Sequence, residues 1–377
     1  MALLFLRLGF TAFGGPAAHI AIMENEVVRR RRWVSSERFL DLLGASNLIP
    51  GPSSTELAIF LGYEQAGLAG LVLAGTCFIL PAAVMVALLA WAYVRFGSLP
   101  QVAGVLYGIK PVVIAVILQA LWRLGPKAIK RSIPLAVLGA AACAAFALGV
   151  DAIVVLVGGG IVWLLGRQLA GRANRAGAIA PPLLAATAAV PASAASFSLL
   201  TLFLTFLKIG AVVFGSGYVL LAFLRADLVD RLHWLTEPQL LDAVAIGQVT
   251  PGPVFTTATF IGYLVGSRAG VGAAAWGAVL ATIGIFLPGF VLVALVRPLV
   301  ARVRKSAAAS AFLDGVNVAA LALMAVVTVQ LARTALIDVP TILIALAGAV
   351  ALIRFEVNTT WLVAGGALLG AATQAVH

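Results

Sequence analysis

From Leu68 to Val94 the chain runs without a charged side chain, and it does so again from Ile133 to Val150 and from Val271 to Val296. Each run is about twenty residues or longer, enough for a helix to cross a hydrocarbon core of roughly 30 Å. A water-soluble domain, about a quarter of whose residues are charged, has no place to bury such surface. Here only 10% of residues are charged, 62% are hydrophobic and mean hydropathy is +1.10. The chain is therefore expected to be an all-α polytopic membrane protein.

The sequence also repeats itself. Phe5-Leu6-Arg7-Leu8-Gly9 recurs 201 positions later as Phe206-Leu207-Lys208-Ile209-Gly210. The register holds without a gap through Trp33/Trp234, Asp41/Asp242 and Pro50-Gly51-Pro52/Pro251-Gly252-Pro253. After a one-residue deletion Gly62-Tyr63 matches Gly262-Tyr263, and after a seven-residue insertion Leu80-Pro81 matches Leu287-Pro288 and Gly108 matches Gly315. This divides the chain into a first repeat at 1–170, a linker at 171–195 with Arg172, Arg175 and Pro181-Pro182, and a second repeat at 196–377.

The net charge of +11 does not point to nucleic acid, because the basic residues lie in short clusters between apolar segments. Those clusters orient the halves. The loop after the first helix carries Arg29 to Arg32 and Arg38, whereas its counterpart at Arg225 to Glu237 balances two arginines with Asp227, Asp230 and Glu237. Conversely, Arg95 to Pro100 holds one basic residue, and the matching loop holds Arg297, Arg302, Arg304 and Lys305. Because positive loops stay inside, equivalent loops lie on opposite faces and the repeats are expected to be inverted.

Inversion requires an odd number of crossings per half. Crossings are expected at 2–23, 68–94, 100–122, 133–149 and 151–169, and at 197–224, 270–296, 309–333, 338–353 and 357–376, about ten in all. Segments 38–64 and 238–265 then enter and leave on one side as re-entrant hairpins. Their arms on either side of Pro-Gly-Pro are about 12 residues, or roughly 18 Å of helix, too short to span; one kinked helix is the plainer alternative. The apolar N-terminus lacks a basic leader and an Ala-x-Ala site, so it is read as the first membrane helix. Cys77 and Cys143 form neither a disulfide framework nor a metal-ligand pattern, and neither a cofactor nor a metal is expected.

Pro-Gly-Pro at membrane depth breaks a helix, since proline removes a donor and clashes with the preceding turn. In lipid, such a break is tolerated where protein or a water-filled cavity satisfies the freed groups, as at transporter substrate sites. Ser53, Ser54 and Thr55 follow the first turn, and Thr256 and Thr257 follow the second. They fall where unpaired N–H groups at a helix start favour an anion and hydroxyls can donate to it. Gly14-Gly15-Pro16 and Gly215-Ser216-Gly217 offer a further break in each half, so four half-helix starts are expected to converge. The bland reading is that glycine and proline simply permit close helix packing.

Ionisable groups within spans are functional candidates. Arg7 and Lys208 are equivalent, Lys110 lies mid-span with Asn317 in its place in the second half, and Glu56 is the one clearly buried acid, with neutral Thr257 as its counterpart. Three cations against one carboxylate suggest an interior suited to an anion, although Arg7 near the chain end can also snorkel outward. Glu56 and His19 are candidates for a proton-coupling pair, with a salt bridge from Glu56 to a buried cation as the alternative. Asp41 and Asp242, on the entry arms of the hairpins, read as structural or interfacial.

Phe13-Gly14-Gly15-Pro16 with Pro50-Gly51-Pro52, Trp33 between them, and the repetition of that set at 214–253 resemble the chromate ion transporter family over nearly the whole chain. The resemblance implies a bacterial inner-membrane protein that exports chromate, with sulfate as a mimic, and confers chromate resistance. The motif residues carry over as Gly14, Gly15, Pro16, Pro50, Gly51 and Pro52, with Pro251, Gly252 and Pro253 in the second half. The second half departs by reading Gly215-Ser216-Gly217, and Ser53 to Glu56 replaces a more Glu/Gln-rich stretch.

With no Gly-x-x-x-x-Gly-Lys-Ser/Thr loop present, an ion gradient or the membrane potential is expected to drive transport. The alternatives are sulfate or other oxyanion uptake or exchange, and a membrane enzyme acting on a lipid phosphate held by Arg7, Lys110 and Lys208. Expected partners are the oxyanion and membrane lipids, without nucleic acid; a homodimer is left open.

Overall fold

The computed structural model describes residues 1–13, 15–97, 99–173, 197–214, 217–296 and 306–375. Among these there are helices and no strands. The first half comprises α1 (Ala2–Thr11), α2 (Gly15–Glu24) continued by a π-helical turn at Asn25–Arg30, α3 (Ser36–Ser46), α4 (Ser53–Phe96), α5 (Pro100–Ile129), α6 (Ile133–Ala147) and α7 (Ala152–Ala173). The second half follows the same order: α8 (Leu199–Val212), a 3-10 turn at Gly217–Val219 leading into α9 (Leu220–Leu224) and a π-helical turn at Arg225–Arg231, then α10 (Glu237–Val249). After it come α11 (Thr257–Gly266), α12 (Val271–Val296), α13 (Ala307–Ala335), α14 (Val339–Arg354) and α15 (Thr359–Ala375).

Local chemistry sets these boundaries. Ser35 accepts the Arg38 N–H to cap α3, and Thr236 with Gln239 forms a capping box on α10. Proline in the first turn opens α5, α6, α10 and α14, where its missing donor costs nothing. Helices among the described residues fall within each of the expected crossings. Among the described residues five helices are long and apolar enough to cross a membrane, at Ser53–Phe96, Gln101–Ile129, Ala152–Leu169, Val271–Val296 and Ala307–Ala335, and five shorter apolar helices accompany them. The first crossing of each half is broken, after Thr11 and after Val212.

α4 is not one straight rod. Ala66 and Gly67 leave helical geometry, Gly67 with φ +58°, and the chain folds back there. A Cβ on Gly62 would stand 2.3 Å from the Gly70 carbonyl oxygen, although eight residues of straight helix would separate them by about 12 Å. Gly262 and Gly277 make the same approach across the 3-10 turn at Ser267–Ala269. The arms Ser54 to Gly62 and Phe255 to Gly262 are buried on all sides. The spanning part of α12 instead shows a stripe through Trp276, Val279, Ile283, Leu287, Val291 and Leu295, the apolar face a helix turns to lipid. Each of these arms follows a Pro-Gly-Pro turn and is enclosed in protein, whereas the entering arm α3 keeps Leu40 exposed.

The halves are interleaved. α5 packs on α14 and α15, and α13 packs on α6 and α7. A Cβ on Gly108 would come within 1.9 Å of the Gly366 carbonyl oxygen, and one on Gly315 within 2.3 Å of that of Gly159. Residues 108 and 315 are equivalent, as are 159 and 366, so the contact exchanges partners between the halves in the way a two-fold axis requires. The absent side chains let these backbones approach closely.

Candidate functional site

α1 stops because Ala12 turns extended (φ −83°, ψ 94°), and α8 stops at Val213 in the same way (φ −72°, ψ 110°). Each stop frees a carbonyl oxygen inside the protein, and each is taken by the Pro-Gly-Pro turn of the other half. Gly51 donates its N–H to the Val213 carbonyl at 2.7 Å, and Gly252 donates to the Ala12 carbonyl at 3.0 Å. Both turns need glycine. Gly51 has φ +126° and a Cβ there would lie 2.3 Å from Glu56 Oε1; Gly252 has φ +92° and its Cβ would meet that of Ala82 at 2.6 Å. The two turns and the two helix breaks therefore form one cross-braced junction between the halves.

Around this shared backbone the side chains differ. In the first half His19, 2% exposed, donates from Nε2 to the Ala12 carbonyl at 3.0 Å, which leaves Nδ1 to accept from the Ser54 hydroxyl at 3.3 Å. The Thr55 hydroxyl and both Glu56 carboxyl oxygens are buried without a hydrogen-bond partner among the described residues. In the second half Leu220 and Phe255 stand where His19 and Ser54 stand in the first, and Phe255 is fully buried. Thr256 and Thr257 donate to the Pro253 and Val254 carbonyls, each at 2.8 Å, so their hydroxyls are engaged with their own turn. Beside them lies a cavity of about 10 Å3, room for roughly one water, lined by Gly217, Leu220, Val254, Thr257 and Gln248. The Gln248 amide nitrogen is buried without a partner among the described residues.

The junction brings together Pro50, Gly51, Pro52, Ser53, Ser54, Thr55, Glu56, His19, Pro251, Gly252, Pro253, Thr256 and Thr257. Gly15, with φ +77°, and Pro16 open α2 beside it. Gly14, Gly215, Ser216, most of the linker and the basic loop from Arg297 to Lys305 lie outside the described residues. Two of the four expected half-helix starts are 3-10 turns, Gly217–Val219 leading into the five-residue α9 and Val254–Thr256 leading into α11, so the regular helix starts at the junction are those of α2 and α4.

The cations lie elsewhere. Arg7 approaches Glu26 at 3.9 Å, and Glu26 also binds Arg30 and Arg31. Lys208 pairs with Asp227, which Arg231 also binds at 2.9 Å. Burial pushes the Glu26 carboxyl up, but its bonds to Arg30 and Arg31 and the charges of Arg30 and Arg7 outweigh this and hold it below the usual range. Lys110 pairs with Asp242 at 3.1 Å, and Tyr93 donates to the same carboxylate at 2.8 Å, joining α4, α5 and α10. The expected surplus of three cations over one acid is thereby corrected. Glu26, Asp227 and Asp242 are also buried, each of these three cations has a carboxylate, and among the described residues Glu56 is the buried acid without a cation.

The chromate transporter family model matches residues 1–164 and again residues 200–371, which is nearly all of both halves. The chain belongs to the chromate transporter family. It is 35% identical to the chromate transport protein of Cupriavidus metallidurans, over 98% of this chain and 92% of the relative. It is 34% identical to that of Pseudomonas aeruginosa, over 90% and 82%. It is also 26% identical to an uncharacterized transporter of Methanocaldococcus jannaschii, over 87% and 83%. No solved structure matches. As a chromate transporter family member with membrane-length helices, the chain is a multi-pass membrane protein.

Sequence reasoning missed the buried acids and Gln248. The repeat contains the signal for two of the acids, because Glu26 follows Arg7 by the same nineteen residues that separate Asp227 from Lys208.

Proposed function

We propose that this chain moves a tetrahedral oxyanion, chromate or its mimic sulfate, outward across the bacterial inner membrane as a secondary transporter, and thereby gives chromate resistance. The observation that carries this reading is the exchange of hydrogen bonds between Gly51 and Val213 and between Gly252 and Ala12. Broken backbone at the interface of two equivalent halves is where inverted-repeat transporters hold substrate, and rocking one half against the other exposes it to each side in turn. The helix starts of α4 and α11 direct N–H groups and positive dipole ends toward the junction, as an anion requires. An inside-negative potential drives a dianion outward. The charge asymmetry of equivalent loops supports halves of opposite orientation, with the ten apolar segments as crossings and the Pro-Gly-Pro segments as hairpins.

Two other readings have less support. Sulfate uptake would use the same site. A lipid-phosphate enzyme would need cations free to hold phosphate, whereas Arg7, Lys110 and Lys208 are tied to acids at separate places. Radiolabelled chromate and sulfate flux in proteoliposomes, with the potential set by a potassium gradient, tests the proposal. Saturable flux that follows the potential is expected; flux equal to that of empty vesicles would overturn it.

A further inference from the structure

On the reading that an oxyanion passes the two Pro-Gly-Pro turns, we infer that Glu56 takes a proton across with it, so that one proton accompanies each oxyanion and a dianion moves as a single net negative charge.

Glu56 is enclosed on all sides. Its side chain is 0% exposed, and neither carboxyl oxygen has a hydrogen-bond partner among the described residues. One side of the carboxyl faces Gly51 in its own turn, and the other faces Gly289 on α12, whose Cβ position lies 3.9 Å from Oε1. α12 carries no titratable residue along its whole length. On α2 the titratable neighbour of the arm is His19, whose two ring nitrogens are engaged by the Ala12 carbonyl and the Ser54 hydroxyl. Further along α4, Glu64 is bound by Arg38 at 2.7 Å. The intramembrane cations Arg7, Lys208 and Lys110 are held by Glu26, Asp227 and Asp242. Among the described residues an ionised carboxylate at this place has neither a countercharge nor a donor, so the group is accommodated as the neutral acid.

An oxyanion at the adjacent turn makes the ionised form more costly still, since like charges in a poorly screened interior repel strongly. Anion binding and proton binding therefore reinforce one another, and by linkage each tightens the other. The two ligands move together and do not exchange. The second hairpin adds no further proton site, because Thr257 replaces Glu56 and its hydroxyl is committed to the Val254 carbonyl. That asymmetry fixes the number at one. Outward movement remains downhill wherever the inside-negative potential acting on the single net negative charge outweighs the cost of carrying the proton to a more acidic exterior.

The test uses the full chain in proteoliposomes with a pH dye trapped inside and the potential clamped at zero. Sulfate serves as the probe because it is chemically inert toward thiols. Inward sulfate flux is expected to acidify the lumen by one proton per sulfate, and the equilibrium sulfate ratio is expected to change about tenfold per unit of pH difference. In Glu56→Gln, no proton is expected to accompany whatever sulfate moves. Sulfate flux without acidification in the wild type, acidification retained in Glu56→Gln, or a sodium gradient substituting for the pH gradient would overturn the inference while leaving oxyanion transport intact. Absence of any sulfate or chromate flux in the wild type would overturn the transport reading itself, and this inference with it.

Discussion

The first and second hairpins share a backbone path and differ in what lines it. Each places a positive-φ glycine against the broken first helix of the other half. The first is lined by Ser53, Ser54, Thr55 and Glu56, with His19 edge-on to Phe78 at 5.6 Å. The second presents Val254 and Phe255 at the first two of those places, with Leu220 for His19 and Phe255 tilted against Phe286 at 6.2 Å. A similar contrast appears further out, where Lys110 pairs with Asp242 and the equivalent positions hold Asn317 and Asp41. Duplication has kept the geometry that makes an opening between the halves, while charge and titratable groups have collected on one side. Two halves with identical linings would bind two anions or none; an unequal pair can bind one anion and one proton.

The backbone part of this comparison is broken most severely at the glycines. Gly51→Val and Gly252→Val each combine a left-handed φ with a clash, a strain of about 3 kcal/mol or more at the junction. Both are expected to abolish oxyanion flux in proteoliposomes to the same degree; a large effect in only one would show that the turns are not equivalent. Next, Asp242→Asn leaves Lys110 without its carboxylate and is expected to lower stability by about 3 kcal/mol, less whatever hydration reaches a lysine side chain 21% exposed. Asp242→Asn with Lys110→Asn, which copies the uncharged partner of the other half, is expected to recover part of that loss in thermal unfolding. His19→Leu, which imports the lining of the second hairpin, is expected to cost about 1 kcal/mol, and Ser54→Ala added to it should cost nothing more, because the two share one hydrogen bond. The smallest effect concerns Glu26. Its folded-state carboxyl lies below the usual 4.5, so it contributes stability above that pH and loses it as pH falls further. Glu26→Gln is expected to lower stability slightly at neutral pH, leave it nearly unchanged in strong acid, and so flatten the acid limb of a stability profile.

Much of this arrangement is legible in the sequence because its causes are local. Pro-Gly-Pro breaks a helix wherever it stands, glycine at 67 permits a reversal, and charge-free runs report lipid contact. A fixed offset of 201 residues then carries each feature from one half to the other. Pairing between distant segments is not local. Nothing near Lys110 indicates that Asp242 reaches it from the entering arm of the other hairpin, so the lysine reads as a free cation suited to an anion. Arg7 misleads in the same way, because the π-helical turn that brings Glu26 back to it has no clear sequence mark. The interleaving of α5 with α14 and α15 is likewise invisible until Gly108 is seen against Gly366.

The account rests on the two turns facing one oxyanion path, and site-directed labelling tests that most directly. With Cys77 and Cys143 replaced by alanine, Ser53→Cys and Val254→Cys place one thiol at the start of each inner arm. Sulfate is expected to slow alkylation of both thiols by a membrane-permeant maleimide, with the same half-saturating concentration at each. Labelling that sulfate leaves unchanged at both positions, in protein shown to transport it, would contradict the account.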